Sequence, residues 1–362
     1  MRVCVVTTDL DRPEAYLYAG LHAGGFDVRV VCRPEAEYQD VLGTRGIPVA
    51  HCQMASRLDR NAIAFLQHDL SSTPCDLVYA PRKRALSNVL RASRRMSVRI
   101  VTYRGIPGYL SFLDPGSWLS FLHPRVDRIV CVSEAVRDYF LSLRLLGLQV
   151  RPDTLVTIPK GHDPSWYRPS DRTALEAFGV PPAAPVVGCV ATMVPRKGID
   201  VLIDAMALLP ATLQTHLLLI GSVRDRRVHM AHRRSPVRDR IHLAGYRRDA
   251  AALAGALDVF VLPTRGAEGL PRAAIEAMAQ RVPAIVTDVP GSRELVQDRV
   301  SGRLVPPGDA RALGEAVAEL LDDRELRASY GANAQQRIAQ QFNIEDTVVR
   351  MHDLFDSVLR TG

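Results

Sequence analysis

The chain has 362 residues, 47% of them apolar and 6% aromatic, and a formal net charge of +7. That length is too great for one ordinary core and suits two α/β domains, while no apolar run reaches the roughly 18 residues of a membrane span. Met1, soon followed by Asp9 and Asp11, does not open a signal peptide, and the scattered cysteines, without a C-x-x-C pair, argue against a disulfide framework or a zinc site; a cytoplasmic enzyme with buried free thiols is expected.

In chain order, residues 2–8 (R-V-C-V-V-T-T) predict a strand, 13–23 a helix and 27–32 (D-V-R-V-V-C) a second strand, the start of a βαβ pattern. Strand-like runs follow at 47–52, 75–80, 98–103, 127–133 and 154–159, with helix-length segments at 57–69, 81–95 and 134–146. No G-x-G-x-x-G follows the first strand, so a dinucleotide site there has no support. Residues 159–185, rich in Pro, Gly and Asp and holding Trp166 and Tyr167, read as a domain linker. A second set of strands is then predicted at 185–191, 214–220, 240–244, 257–262 and 283–288. Helices are predicted at 198–209, 249–256, 271–280, 309–321, 324–340 and 344–359. Alternation of this kind in both halves predicts two parallel, doubly wound, Rossmann-like sheets.

The positive charge is N-terminal: to residue 163 there are 21 basic and 16 acidic groups, against 25 and 23 in the remainder. It concentrates between Arg82 and Arg104, a stretch without an acid. One reading is a solvated face; the other is attraction to an anionic glycan, an acidic lipid or a membrane surface. Nucleic acid fits less well, because no aromatic interleaving or binding motif accompanies the charge. The cations are 43 arginines and only three lysines, Lys83, Lys160 and Lys197, which points to places where a compact ammonium suits and a broad guanidinium does not. His229 and His232, in a basic segment, read as surface residues.

Residues 258–262 (D-V-F-V-L) form a short apolar strand closed by Pro263, and 273–279 is strongly helical with Pro271 suited to the first helical position. The intervening loop sits at the C-terminal end of a strand and runs into a helix N-terminus, where an open α/β sheet binds anions. Glu268 lies in the loop and Glu276 about 7.5 Å along the helix, so spacing alone does not make them a close catalytic pair. A solvated loop acid and a helix-surface acid are the plain reading. Residues 194–200 (V-P-R-K-G-I-D) follow another strand in the same way, placing Lys197 and Gly198 where amides and a cation favour a diphosphate.

The run E-G-L-P-x-x-x-x-E-A-M, from Glu268 through Glu276, resembles the Glu-(seven residues)-Glu signature of the retaining glycosyltransferases of family 4. The likeness is strongest over 185–309, where the Lys197-Gly198 pair, P-G-S-R-E-L-V at 290–296 and G-R-L-V-P-P-G-D at 302–309 also match. Gly161-His162-Asp163 and Val132-Ser133-Glu134 resemble its domain-junction and strand-end motifs. The resemblance implies an α/β, GT-B architecture of two Rossmann-like domains facing a central cleft. Residues 1–165 would bind the acceptor, 166–343 the nucleotide sugar, and a C-terminal helix at 344–362 would cross back to the first domain. It implies retaining transfer of a sugar from a nucleotide-diphosphate sugar to a hydroxyl of a cell-surface glycan or lipid-linked acceptor, of lipopolysaccharide or exopolysaccharide type. No metal, no cofactor beyond the nucleotide sugar and no nucleic acid partner are implied, and the basic N-terminal half adds peripheral contact with an anionic membrane at its inner face.

Carried over residue by residue, Lys197 would neutralise the leaving diphosphate, Glu268 would lie against the donor sugar, and Glu276 would accept hydrogen bonds from the ribose hydroxyls. Gly198 and the Gly269-Leu270-Pro271-Arg272 stretch would hold sugar or phosphate. Three positions depart from the family. Its Arg five residues before the Lys is Thr192 here, with Arg196 or Arg272 as substitutes. Its first-domain Gly-Gly reads Thr7-Thr8-Asp9-Leu10, and its His after the fourth or fifth strand is Arg104, so Thr8 and Arg104 take the acceptor side. Two other readings stay open: a nucleotide-sugar epimerase of the same fold, and a nucleotide-sugar-binding protein without turnover.

Overall fold

The computed structural model describes residues 1–360. The chain divides into two compact units, Met1–Gly161 joined by the segment from Ile344, and His162–Asn343. The division falls at 161/162, not at the expected 165/166. The stretch read as a linker is instead built into the second unit: it carries the 3-10 turns Pro164–Trp166 and Arg172–Phe178, and Arg172 pairs with Asp258 at 2.8 Å.

The first unit is a seven-stranded parallel sheet in the order Val49–His51, Asp27–Cys32, Arg2–Val6, Leu77–Ala80, Arg99–Arg104, Arg128–Cys131, Leu155–Thr157. Its two central strands are near-continuous apolar runs, as burial on both faces requires, and Val3 to Val6 and Leu77 to Ala80 are at most 3% exposed. The helix Arg12–Ala23 starts at a capping box, with Asp11 accepting from the Glu14 N–H and Glu14 reaching back to Asp11. The final helix, Ile344–Arg360, packs on Arg12–Ala23 and belongs to this unit. Phe355 is fully buried there against Phe26 and Tyr79, Thr347 donates to the Pro159 carbonyl at 3.0 Å, and Arg350 donates to the Thr157 carbonyl.

The second unit is a six-stranded parallel sheet in the order Ile241–Gly245, His216–Ile220, Val186–Val190, Val259–Leu262, Ala284–Thr287, Gly302–Val305. The central strands are again apolar throughout. Strand order reverses beside Val186–Val190, whose neighbours are His216–Ile220 on one side and Val259–Leu262 on the other. In an open sheet that reversal parts the loops leaving the two strands and opens a crevice at their C-terminal ends.

One expected helix boundary moved, and one helix was not expected. The helix predicted over 134–146 ends at Ser142, and a two-stranded hairpin, Arg144–Leu145 with Leu148–Gln149, follows through Leu146 and Gly147, both at positive φ. The basic segment around His229 is a helix, Arg226–Arg234, capped by Asp225.

Candidate active site

At this reversal the loops leaving Val186–Val190 and Val259–Leu262 are pressed together. Gly198 has φ +63°, and a Cβ there would lie 2.1 Å from the Pro263 carbonyl oxygen. Only glycine lets the turn Pro195–Lys197 approach so closely. The contact is fastened by the Arg265 N–H, which donates to the Arg196 carbonyl at 2.8 Å, and by the Arg265 guanidinium, which forks onto both oxygens of Asp200 at 2.7 Å. Burial pushes the Asp200 carboxyl up, but the Arg265 fork outweighs it and holds Asp200 below the usual carboxylate range.

Glu268 is 4% exposed, and three groups donate to one of its oxygens, Oε1. They are Lys197 Nζ at 2.5 Å, Thr264 Oγ1 at 2.8 Å and Arg196 Nη1 at 3.1 Å. A buried carboxylate needs such partners, since an unpaired one would neutralise. The loop itself is held by the Glu268 N–H donating to the Pro290 carbonyl at 3.0 Å. Gly291 allows this approach, because a Cβ there would stand 2.2 Å from the carbonyls of Glu268 and Gly269. Behind the pair, burial pushes the Cys189 thiol up to about 12 against the pull of Lys197, so it stays neutral.

Two cations on one carboxylate leave a surplus positive charge at the mouth of the crevice, which is suited to an incoming anion. Further along, the helix Arg272–Met278 begins at Pro271 without a side-chain cap, and Glu276, 7% exposed, accepts from Arg272 Nε at 2.7 Å. Gly269 and Leu270 complete the loop between the two carboxylates. The structure therefore brings Arg196, Lys197, Gly198 and Glu268 into one cluster, with Glu276 and Arg272 as a separate pair. Thr192 is exposed and supplies no cation, and both of its expected substitutes, Arg196 and Arg272, are already engaged with carboxylates.

The first unit treats its two expected residues differently. Thr8 is half-buried in the loop after Arg2–Val6. Arg104 is buried, donates from Nε to the Ile106 carbonyl at 2.9 Å and from Nη2 to the Gly108 carbonyl at 2.5 Å, and lies 4.8 Å over the Phe121 ring. Burial lowers its pKa, and its hydrogen bonds staple a loop. Sequence reasoning missed a polar cluster at the point where this sheet reverses, between Arg2–Val6 and Leu77–Ala80. Lys160 Nζ donates to Asp11 Oδ2 at 3.0 Å and to Glu14 Oε1 at 2.9 Å, and Arg82 Nη2 donates to Glu14 Oε2 at 2.9 Å. Burial would lower the Lys160 pKa, but Glu14 and Asp11 outweigh it and raise it. The visible signals were the rarity of lysine and the Asp11-x-x-Glu14 capping box.

Two Rossmann-like units, one holding a basic loop against an acidic loop where strand order reverses, define a class of enzymes built to handle anionic donors. Both halves of the chain match known sequence families: residues 184–323 match the model described as glycosyl transferases group 1, and residues 15–166 that of Glycosyltransferase Family 4. The lipopolysaccharide core biosynthesis glycosyltransferase LpsE of Rhizobium meliloti strain 1021 is 31% identical over 343 residues, 92% of each chain. The lipopolysaccharide core biosynthesis mannosyltransferase LpsB of the same organism is 30% identical over 302 residues, covering 79% of this chain and 81% of that protein. Among solved structures, Anabaena HepE in complex with UDP and glucose superposes with a TM-score of 0.80 at 21% identity, over 98% of this chain and 99% of that one. The chain belongs to glycosyltransferase family 4.

Proposed function

We propose that this glycosyltransferase moves a sugar, with retention at the anomeric carbon and without a metal ion, from a nucleotide-diphosphate sugar to a hydroxyl of a cell-surface glycan or lipid-linked acceptor. The donor binds in the second unit and the acceptor in the first. The observation that carries this reading is the Glu268 carboxylate gripped by Lys197 and Arg196 in the crevice where the sheet reverses. Breaking a glycosyl–phosphate bond builds negative charge on the diphosphate and positive charge on the sugar. Fixed cations stabilise the first and a carboxylate the second, and both are already in place. An arriving diphosphate competes with Glu268 for Lys197 and Arg196, so donor binding would free the carboxylate toward the sugar. Glu276 would take the ribose hydroxyls. The relatives from lipopolysaccharide synthesis and the HepE complex with UDP and glucose support this choice of acceptor and donor class.

No helix of the described residues is long and apolar enough to cross a membrane. We place the enzyme in the cytoplasm with peripheral contact at an anionic membrane, supported by the exposed Arg91, Arg94 and Arg95. Sedimentation with anionic liposomes that survives neutralising those three would sink that part.

The central test is a thermal-shift panel of UDP, GDP, ADP and their sugars on the wild type and on Lys197→Gln. A shift with one nucleotide that weakens in the variant is expected; no shift with any of them would overturn the donor site. Product analysis, with and without acceptor and with a chelator present, reads transfer against epimerisation, the anomeric outcome and metal independence.

A further inference from the structure

The three donors on Glu268 Oε1 are of two kinds. Lys197 and Arg196 end long, jointed side chains, and the Arg196 side chain is 40% exposed, so both can follow an arriving diphosphate. Thr264 cannot. It is fully buried, its hydroxyl stands one rotation from the backbone, and a β-branched side chain is stiff at that rotation. The second carboxylate oxygen, Oε2, accepts from none of the described residues.

The Thr264 hydroxyl is also anchored from the sheet. Thr264 follows Pro263 at the end of the strand Val259–Leu262, and its carbonyl accepts from Thr287 Oγ1 at 2.6 Å. Thr287 is the last residue of the neighbouring strand Ala284–Thr287 and is 2% exposed, so it ties the Thr264 backbone to the sheet. The Glu268 backbone is tied separately, by its N–H on the Pro290 carbonyl. A connection therefore runs from Thr287 through Thr264 to the Glu268 carboxylate without passing through a cation.

We propose that Thr264 is a positioning residue for the transfer: once the diphosphate draws Lys197 and Arg196 away, its hydroxyl alone keeps hold of Oε1 and leaves Oε2 turned to the donor sugar. The proposal rests on the reading of the second unit as the donor site and of Glu268 as the group that meets the sugar. A buried carboxylate stripped of every donor turns toward whatever cation or water it can reach, so the one side chain that stays with it decides where it points. This role is masked while two cations hold the same oxygen, and it shows once the diphosphate has taken them. Its signature is a loss that falls on the sugar and spares the diphosphate.

The experiment is calorimetric titration of the full chain with UDP, GDP and ADP, and with UDP-glucose, GDP-mannose and ADP-glucose, on wild type, Thr264→Val, Thr264→Ala, Thr264→Ser and Lys197→Gln. For the nucleotide that binds, Thr264→Val should keep the wild-type affinity for the free diphosphate and weaken that for its sugar by roughly 10-fold, the loss of one hydrogen bond to a charged group. Thr264→Ser, which keeps the hydroxyl, should restore it. If valine does not fold, alanine against serine reads the same hydroxyl. Lys197→Gln should weaken the diphosphate and its sugar alike. An equal loss for both ligands in Thr264→Val would make Thr264 a structural residue, and an unchanged affinity for the sugar would make it idle; either result overturns the proposal. A wild type that binds none of the six ligands overturns the donor site itself, which tells the two failures apart.

Discussion

Glu268 and Lys197 neutralise each other across 2.5 Å, so removing either charge should act in opposite directions on donor binding. Glu268→Gln releases two cations: affinity for a nucleotide diphosphate should hold or rise while kcat falls by about 10²- to 10³-fold, the scale of losing one oriented charge in a closed site. Lys197→Gln should weaken nucleotide binding by roughly 10- to 100-fold. Calorimetry beside steady-state rates checks both, and a Glu268→Gln variant with normal turnover would remove the carboxylate from the chemistry. Each residue could be placed at the end of a strand from the apolar run before it. Their contact, 71 positions apart, could not, because it depends on Val186–Val190 lying beside Val259–Leu262, and periodicity does not encode strand order. Asp200 carries a pH consequence. Its folded pKa is depressed, so the stability from its Arg265 fork is fully present above the ordinary value of about 3.9 and is lost as pH falls through the lower folded one. Asp200→Asn should be less stable than wild type at neutral pH and lose less on acidification, measured as Tm against pH.

At the scale of elements, apolar runs and caps marked most strands and helices to within a few residues, since buried parallel strands are short β-branched stretches that stand out between polar loops. The hairpin after Ser142 was hidden because Leu146 reads as the continuation of an apolar helix, yet it sits 97% exposed at the turn. The helix Arg226–Arg234 was hidden by its charge. A tertiary pairing was equally invisible: His216 and His242 begin adjacent strands, stack with rings 5.2 Å apart and 8° from parallel, and share a hydrogen bond of 2.8 Å between Nδ1 and Nε2. That bond needs one donor and one acceptor, so it exists only while the pair is not doubly protonated. Burial depresses both pKa values; His242 and then Arg240 add to it at His216, while at His242 a backbone hydrogen bond to Phe178 opposes it and His232 adds to it. The unfolded chain therefore binds protons more readily, and the second unit should lose stability as pH falls from about 6.5 toward the lower folded values. His216→Gln should flatten that dependence between about pH 5 and pH 7, followed by thermal unfolding of the second unit.

For the molecule as a whole, two tryptophans report separately: Trp118 lies in the first unit and Trp166 in the second. Phe355 fills the first unit's core from the last helix, and Phe355→Ala should cost roughly 3–5 kcal/mol there, the range for a buried aromatic truncated to alanine. In a Trp166→Phe background the fluorescence transition should move to lower denaturant; in a Trp118→Phe background it should stay. Equal shifts in both would mean that the units unfold as one. Two successive βαβ patterns made the pair of units legible. The crossing at Gly161 was marked only by the likeness of Gly161-His162-Asp163 to a domain-junction motif, because residues 159–185 read as a linker until Arg172 is seen pinned to Asp258.

The last helix also sets an order of assembly on the ribosome. Strands from Arg2 to Thr157 emerge first, but the surface of Phe26 and Tyr79 that they build is sealed only by residues made after Asn343. The second unit has its whole sequence in one uninterrupted piece and can close while the first still waits, with an apolar face open to chaperones. The half that is born first is therefore the half that matures last.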